Sequence, residues 1–336
     1  MRRVILFALG GTIASLPAED PTNGVVPSID ARELVRSVPG LEAIARVESR
    51  TLRQTSSANF SFGDLVEVAQ AIDDAFASGV NGVVLTQGTD NIEETSFALD
   101  LLVDDARPVV VTGAMRNPSL VGADGSANLQ AAVAVAASPL ARGMGSLVVM
   151  NDEIHAARFV RKMHASSPSA FASPQTGPLG AVVEGRIHFY ARPETISLPR
   201  PGGEIAPVAL VRCALGDDGR IVSALAGMGY LGLVVEGFGG GHVPEAMVEP
   251  LAELALTMPV VLASRTGAGV TLESTYGFAG SEIDLLRRGL VPAGALDGLK
   301  ARVALSLALA STDDRAEAEA RFRSVADTVG GATLRG

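Results

Sequence analysis

The sequence predicts an α/β fold, with a larger N-terminal doubly wound, mostly parallel sheet domain and a smaller C-terminal α/β domain. Three observations carry that expectation. Short aliphatic runs at residues 4–8, 83–85, 108–112 and 147–150 alternate with helical stretches, and such uninterrupted apolar strands belong to parallel sheets covered on both faces. The runs end in small and polar residues, as at Thr86-Gln87-Gly88-Thr89-Asp90, and the carboxyl ends of strands are where open α/β sheets place their ligands. The chain has 336 residues, which suggests about two domains at roughly 150 residues each. The stretch 193–207, rich in proline and glycine, is the best boundary. It separates an N-terminal catalytic domain, 1–192, from a C-terminal domain, 208–336.

Taken in order, residues 4–8 form a buried strand that stops at Gly10-Gly11-Thr12. Two glycines permit either a bare turn or a close approach by another group. Residues 16–28 contain Pro17, Pro21, Asn23, Gly24 and Pro27 and read as a loop. Asp30 and Glu33 form a capping box ahead of Leu34, Val35 and Val38. Ser56, Ser57 and Asn59 make a polar cluster. Ser61 and Asp64 then cap a helix whose buried stripe is Leu65, Val68, Ala69, Ile72 and Phe76. The strand at 83–85 leads through the polar loop into a helix with Ile92, Leu99, Leu102 and Val103 on one face. Glu93 and Glu94 suit that helix's positive end.

A strand follows at 108–112, then Gly113-Ala114, a loop at 122–125, a helix at 128–137 and a strand at 147–150. Arg158, Arg161 and Lys162 form a basic cluster, which for Arg161 reads as a solvated face. In the C-terminal domain, strands are expected near 209–214, 231–236 and 259–264. A helix near 245–257 is bent by Pro250. Two more helices follow, from Ser281 to Gly289 and over 297–311.

Composition narrows the function. Hydrophobic residues make up 47% and aromatic residues 4%, so the cores are aliphatic. The net charge of −10 argues against nucleic acid or an anionic membrane surface as a partner. Cys213 is the single cysteine, so no intrachain disulfide forms and a reducing, cytoplasmic setting fits. The apolar run after Arg2-Arg3 is six residues, shorter than the ~7–15 of a signal peptide's apolar region. No stretch reaches the ~18 apolar residues of a membrane span. His155, His164, His188 and His242 lack metal-ligand spacing, so no metal or other cofactor is expected, and surface or capping roles suit them better. Neither a phosphate-binding glycine loop nor a G-x-S-x-G elbow occurs.

The motifs carry the reading further. Leu9-Gly10-Gly11-Thr12-Ile13-Ala14 and Thr86-Gln87-Gly88-Thr89-Asp90-Asn91-Ile92-Glu93-Glu94-Thr95 resemble the two signatures of the bacterial-type L-asparaginase/glutaminase family. The blocks at 108–116, Ala123-Asp124-Gly125 and Val149-Met150-Asn151-Asp152 are similar to further family segments. The agreement runs in order from residue 4 to about residue 311. The resemblance implies hydrolysis of L-asparagine to L-aspartate and ammonia, with a glutaminase side activity. It also implies a homotetramer of close dimers with sites at the dimer interface. Thr12 matches the nucleophile, Thr89 the second catalytic threonine, Lys162 its lysine partner, and Asp90 the carboxylate that holds the substrate α-ammonium. Ser57 matches the residue that binds the α-carboxylate, and Gly11, Gly88 and Ala114 line the pocket.

Those roles are chemically coherent. A threonine hydroxyl attacks only when a neighbour takes its proton. A free lysine, with a pKa of about 10.4, does so at neutral pH only where its surroundings favour the free amine. A pocket that pairs both charges of an amino acid rejects simple amides, which would leave buried charge unmatched. The sequence also departs from the family. Its mobile loop usually carries a tyrosine, and here that position is Val25, or Gly24 with a one-residue shift. Glu273 is the nearest candidate for an acid contributed by a neighbouring subunit, and His242 stands where many members have asparagine. Tyr276 is a candidate for the missing phenol, against a plain packing role. The departures leave two alternatives to an asparaginase: a related amidase of different substrate, and an amino-acid-binding sensor with impaired catalysis.

Overall fold

A computed structural model describes residues 1–18, 20, 22 and 24–331. The chain divides into two compact units, Met1–Ser197 and Leu198–Gly336.

The first unit contains, in order, β1 (Arg3–Gly10), β2 (Ser15–Pro17), β3 (Val25–Pro27), α1 (Ala31–Arg36), α2 (Leu41–Ile44), β4 (Arg46–Thr55), α3 (Phe62–Ala77), β5 (Gly82–Thr86), α4 (Ile92–Leu102), β6 (Val109–Thr112), α5 (Gly125–Ala137), β7 (Ser146–Met150), β8 (Glu153–Ala156), β9 (Arg161–Lys162), β10 (Phe171–Ala172), β11 (Gly180–Val183) and β12 (Arg186–Phe189). The main sheet has the order β12-β11-β8-β7-β6-β5-β1-β4. Strands β4, β1, β5, β6 and β7 run parallel, and β8, β11 and β12 extend the sheet antiparallel. Val4, Leu6 and Ala8 alternate onto a face covered by Leu34, Leu41 and Leu129 from α1, α2 and α5. Helices α3 and α4 pack on the opposite face. After β1 the chain moves to β4 at the sheet edge, and after β5 it moves the other way, to β6. The switch point of this doubly wound sheet therefore lies between the carboxyl ends of β1 and β5.

The second unit contains β13 (Val208–Arg212), α6 (Arg220–Leu225), β14 (Gly232–Gly237), α7 (Val248–Thr257), β15 (Val260–Ser264), α8 (Glu282–Arg287), β16 (Val291–Pro292), α9 (Gly298–Ala310) and α10 (Arg315–Gly330). Its four strands are parallel in sequential order. Val222, Leu251, Leu254 and Leu285 cover one face, while α9 lies on the sheet and α10 on α9.

Several local expectations are corrected. The stretch 16–28 is a hairpin rather than a plain loop: β2 and β3 pair antiparallel, with Pro17 opposite Val25. Pro21 and Asn23 lie outside the described residues. Helix α4 is buried nearly all round, Glu93 and Asp100 included, rather than on one face, and Val103 caps its end. Helix α5 starts at Gly125, earlier than expected. Pro250 falls in the first turn of α7, where its missing N–H breaks no ladder bond. Arg158 is 3% exposed and His155 fully buried, so neither belongs to a solvated surface.

Candidate active site

Four adjacent strand ends build one site in the first unit. Parallel pairing sets Ala8 beside Thr86 and Thr86 beside Thr112, and Gly10 pairs with Thr55 across a register shift. The segments that follow therefore emerge side by side: Gly11-Thr12 after β1, Ser57 after β4, Gly88-Thr89-Asp90 after β5, and Gly113-Ala114 after β6.

Close backbone approach holds these segments together, which decides the role of the glycine pair. Gly11 has φ of 85°, and a Cβ there would stand 2.1 Å from the Gly88 nitrogen. A Cβ on Gly88 would in turn meet the Ser57 hydroxyl at 2.5 Å. Only glycine allows such contacts. Thr12 and Thr89 are thus each the next residue after two touching backbones, and Ser57 lies against the same point. Thr12 opens a single 3-10 turn, Thr12–Ala14, and is partly exposed. The Gly11 carbonyl accepts from Ser15 Oγ at 2.8 Å and from the Ala14 N–H at 2.9 Å, closing that turn.

Thr89 opens another 3-10 turn, Thr89–Asn91, that runs into α4. The Lys162 Nζ donates to Thr89 Oγ1 at 2.9 Å and to Asp90 Oδ1 at 2.8 Å. The Lys162 side chain is 15% exposed and that of Asp90 66%, so the amine is largely enclosed while the carboxylate opens to solvent. Asn91 Nδ2 donates to the Ser57 carbonyl at 2.7 Å, tying the ends of β4 and β5. The Ser57 hydroxyl is itself buried, with no hydrogen-bond partner among the described residues. Such a group is costly to leave unmatched. Ala114 is fully buried, near the N-terminus of α5.

Sequence reasoning named Gly11, Thr12, Ser57, Gly88, Thr89, Asp90, Ala114 and Lys162, and all belong to these strand ends except Lys162, which arrives from β9. It missed the connecting roles of Asn91 and Glu93. Glu93 is buried and its Oε2 accepts the Lys162 backbone N–H at 3.3 Å. The available signal was the acid's place one turn beyond Asp90.

The departures noted above have definite surroundings. Val25 lies in β3, 42% exposed. In the second unit, the His242 ring packs edge-on to Tyr276 and Phe278, with centroids 4.9 and 5.1 Å away. His242 Nε2 lies 3.1 Å from Glu282 Oε2. Burial of Glu282 works to raise its pKa, but the N–H groups of Tyr276 and Thr275 and the His242 ring outweigh it, and the carboxyl falls below its ordinary value. Tyr276 therefore has a packing environment of its own. Among the described residues, no group of three or more His, Cys, Asp or Glu side chains could hold a metal, and no helix is long and apolar enough to cross a membrane.

Comparisons with known proteins match both parts of the chain. Residues 3–195 match the family model described as Asparaginase, N-terminal, and residues 207–322 that of the Glutaminase/Asparaginase C-terminal domain. An L-asparaginase of Bacillus licheniformis is 35% identical over 317 residues, covering 92% of this chain and 96% of the relative. A glutaminase-asparaginase of Pseudomonas aeruginosa is 33% identical over 332 residues, covering 96% and 90%. The crystal structure of a probable cytoplasmic L-asparaginase from Campylobacter jejuni superposes with a TM-score of 0.85 at 32% identity, covering 96% of this chain and 99% of that one.

Proposed function

This chain belongs to the asparaginase family and is a hydrolase of L-asparagine, and from that premise we propose that Thr12 is its nucleophile, with Thr89, Lys162 and Asp90 completing the machinery. The observation that carries this reading is the Lys162 amine donating to both Thr89 Oγ1 and Asp90 Oδ1 beside the backbone contact that leads to Thr12.

In this reading the substrate α-ammonium pairs with Asp90, whose carboxylate is open to solvent. Its α-carboxylate takes the unpartnered Ser57 hydroxyl. With Asp90 engaged by substrate, Lys162 Nζ keeps the Thr89 hydroxyl as its partner. The Thr12 oxygen attacks the carboxamide carbon, and N–H groups near Gly11 and Thr89 receive the developing oxyanion. The threonine proton passes through the Thr89–Lys162 pair to the departing nitrogen, the C–N bond breaks, and ammonia leaves. Water then adds to the acyl ester, the bond to the Thr12 oxygen breaks, and a proton from that water passes to the Thr12 oxygen as L-aspartate forms.

L-glutamine is the side substrate of this pocket, one methylene longer, and such a difference is worth about 10–200-fold in a fitted site. The oligomeric reading is a homotetramer of close dimers with sites at their interfaces, acting on a free amino-acid amide in the cytoplasm. Ammonia release from L-asparagine by wild type and Thr12→Ala tests the assignment. Thr12→Ala, folded by circular dichroism, is expected to lose several orders of magnitude in kcat, because the covalent route needs the hydroxyl. Near-wild-type turnover would reject Thr12 as nucleophile.

A further inference from the structure

Lys162 reaches Thr89 and Asp90 from outside the sheet that carries them. Among the described residues its strand β9 pairs with β10 alone, through Phe171 opposite Lys162 and Ala172 opposite Arg161, in a two-stranded sheet of its own. The main sheet therefore does not set the distance between the amine and the end of β5. Some other tie must, because a long, flexible lysine side chain loses much rotamer freedom when held in one place.

Helix α4 supplies two such ties. Thr89 and Asp90 lead directly into it. At its front, Glu93 Oε2 accepts the Lys162 backbone N–H at 3.3 Å. In its last turn, Asp100 Oδ2 accepts from Arg158 at 2.9 Å, while Asp100 Oδ1 accepts the Ser146 N–H at 2.8 Å. The Asp100 and Arg158 side chains are each 2% exposed. Burial pushes the Asp100 carboxyl up from its ordinary value, and the Arg158 guanidinium and Ser146 N–H pull it back. Arg158 also donates to the Glu194 carbonyl.

The spacing is consistent with a splint. Seven residues of α-helix return to within about 20° of the starting direction and rise about 10 Å, so Glu93 and Asp100 share one face. The four steps along the chain from Arg158 to Lys162 span at most about 13 Å, enough to lie along that face. The turn in which Val160 N–H donates to the Ala156 carbonyl shortens the path.

We propose that Glu93 and Asp100 are positioning residues for the proposed catalytic step: together they fasten the Arg158–Lys162 segment to the helix that Thr89 and Asp90 lead into, and so place the Lys162 amine. The inference rests on the proposed role of Lys162. It predicts an effect on kcat rather than on substrate affinity, since both acids bond the Arg158–Lys162 segment.

The test is a set of variants assayed for ammonia release from L-asparagine, with unfolding midpoints measured in parallel. Removing the acceptor in Glu93→Ala is expected to lower kcat by about 10–100-fold, the scale of an ångström of misplacement, with KM within about twofold of wild type. Glu93→Gln restores an acceptor for the Lys162 N–H and is expected to recover most of the loss. In a Lys162→Met background, Glu93→Ala is expected to cost nothing further. Wild-type kcat in folded Glu93→Ala, failure of Glu93→Gln to rescue, or an equal loss in both backgrounds would overturn the proposal. If Glu93→Ala does not fold, Asp100→Asn is read by the same kcat, KM and background criteria. If neither folds, the acids are stability elements and the positioning role falls. Wild-type turnover in Lys162→Met alone would instead remove the role of Lys162 on which the inference stands.

Discussion

Ser57 and Lys162 illustrate opposite ways in which a single polar side chain meets its surroundings in this site. The Lys162 amine donates to two side chains, whereas the buried Ser57 hydroxyl has no partner among the described residues. An unmatched buried hydroxyl costs about 1–3 kcal/mol in the folded protein. Ser57→Ala is therefore expected to leave stability unchanged or raise it by up to about 1 kcal/mol. The same change is expected to raise KM for L-asparagine by about tenfold or more, the worth of a hydrogen bond to a charged group. Urea unfolding and initial-rate kinetics check the two halves, and a loss of stability with KM unchanged would make Ser57 structural. The residues proposed for the site were readable through the resemblance of their motifs, since residue spacing alone leaves the reaction open. The burial of His155 and Arg158 was not readable, since it depends on Ser173 and Asp100, distant in sequence.

Strand β8 carries His155 into the interior, where its Nδ1 lies 3.0 Å from Ser173 Oγ, just beyond β10. Burial lowers the His155 pKa from 6.5 to about 4. As pH falls, the unfolded chain therefore takes up this proton first. The contribution to stability is complete above pH 6.5 and is lost progressively down to about pH 4. The loss is at most about 3 kcal/mol. Denaturant unfolding across that range is expected to show the slope in wild type and a flatter one in His155→Gln. An unchanged slope in the variant would assign the acid sensitivity to other groups. At this scale capping was legible: Asp30 with Glu33 forms the box expected from sequence, and the cap expected from Ser61 with Asp64 is a box as well. Helix α10 was not foreseen, although Ala318, Phe322, Val325 and Val329 repeat at helical spacing and are buried. Its low overall hydrophobicity masks a stripe that only α9 reveals. The β2–β3 hairpin was hidden for a related reason, because its proline-rich composition reads as loop until pairing supplies the partner strand.

For the molecule as a whole, the proposed tetramer with interface sites makes activity depend on assembly. Light scattering is expected to give a mass near four chains, and specific activity to fall on dilution together with that mass. A fully active monomer would overturn the interface reading. The fold class followed from the sequence alone because burial on both faces of a parallel sheet demands uninterrupted aliphatic strands, and those runs are visible in β1, β5, β6 and β7. Two short motifs contain Gly11, Thr12, Gly88, Thr89 and Asp90, whereas Ser57, Ala114 and Lys162 lie outside them. Tertiary structure alone decided that Gly11 comes against Gly88, that Lys162 comes from a separate two-stranded sheet to meet Thr89, and that Glu93 and Asp100 of α4 bond Lys162 and Arg158. Periodicity along a chain reports which face of an element is apolar, whereas contacts between elements depend on strand order and close approach, which residues far apart in sequence determine together.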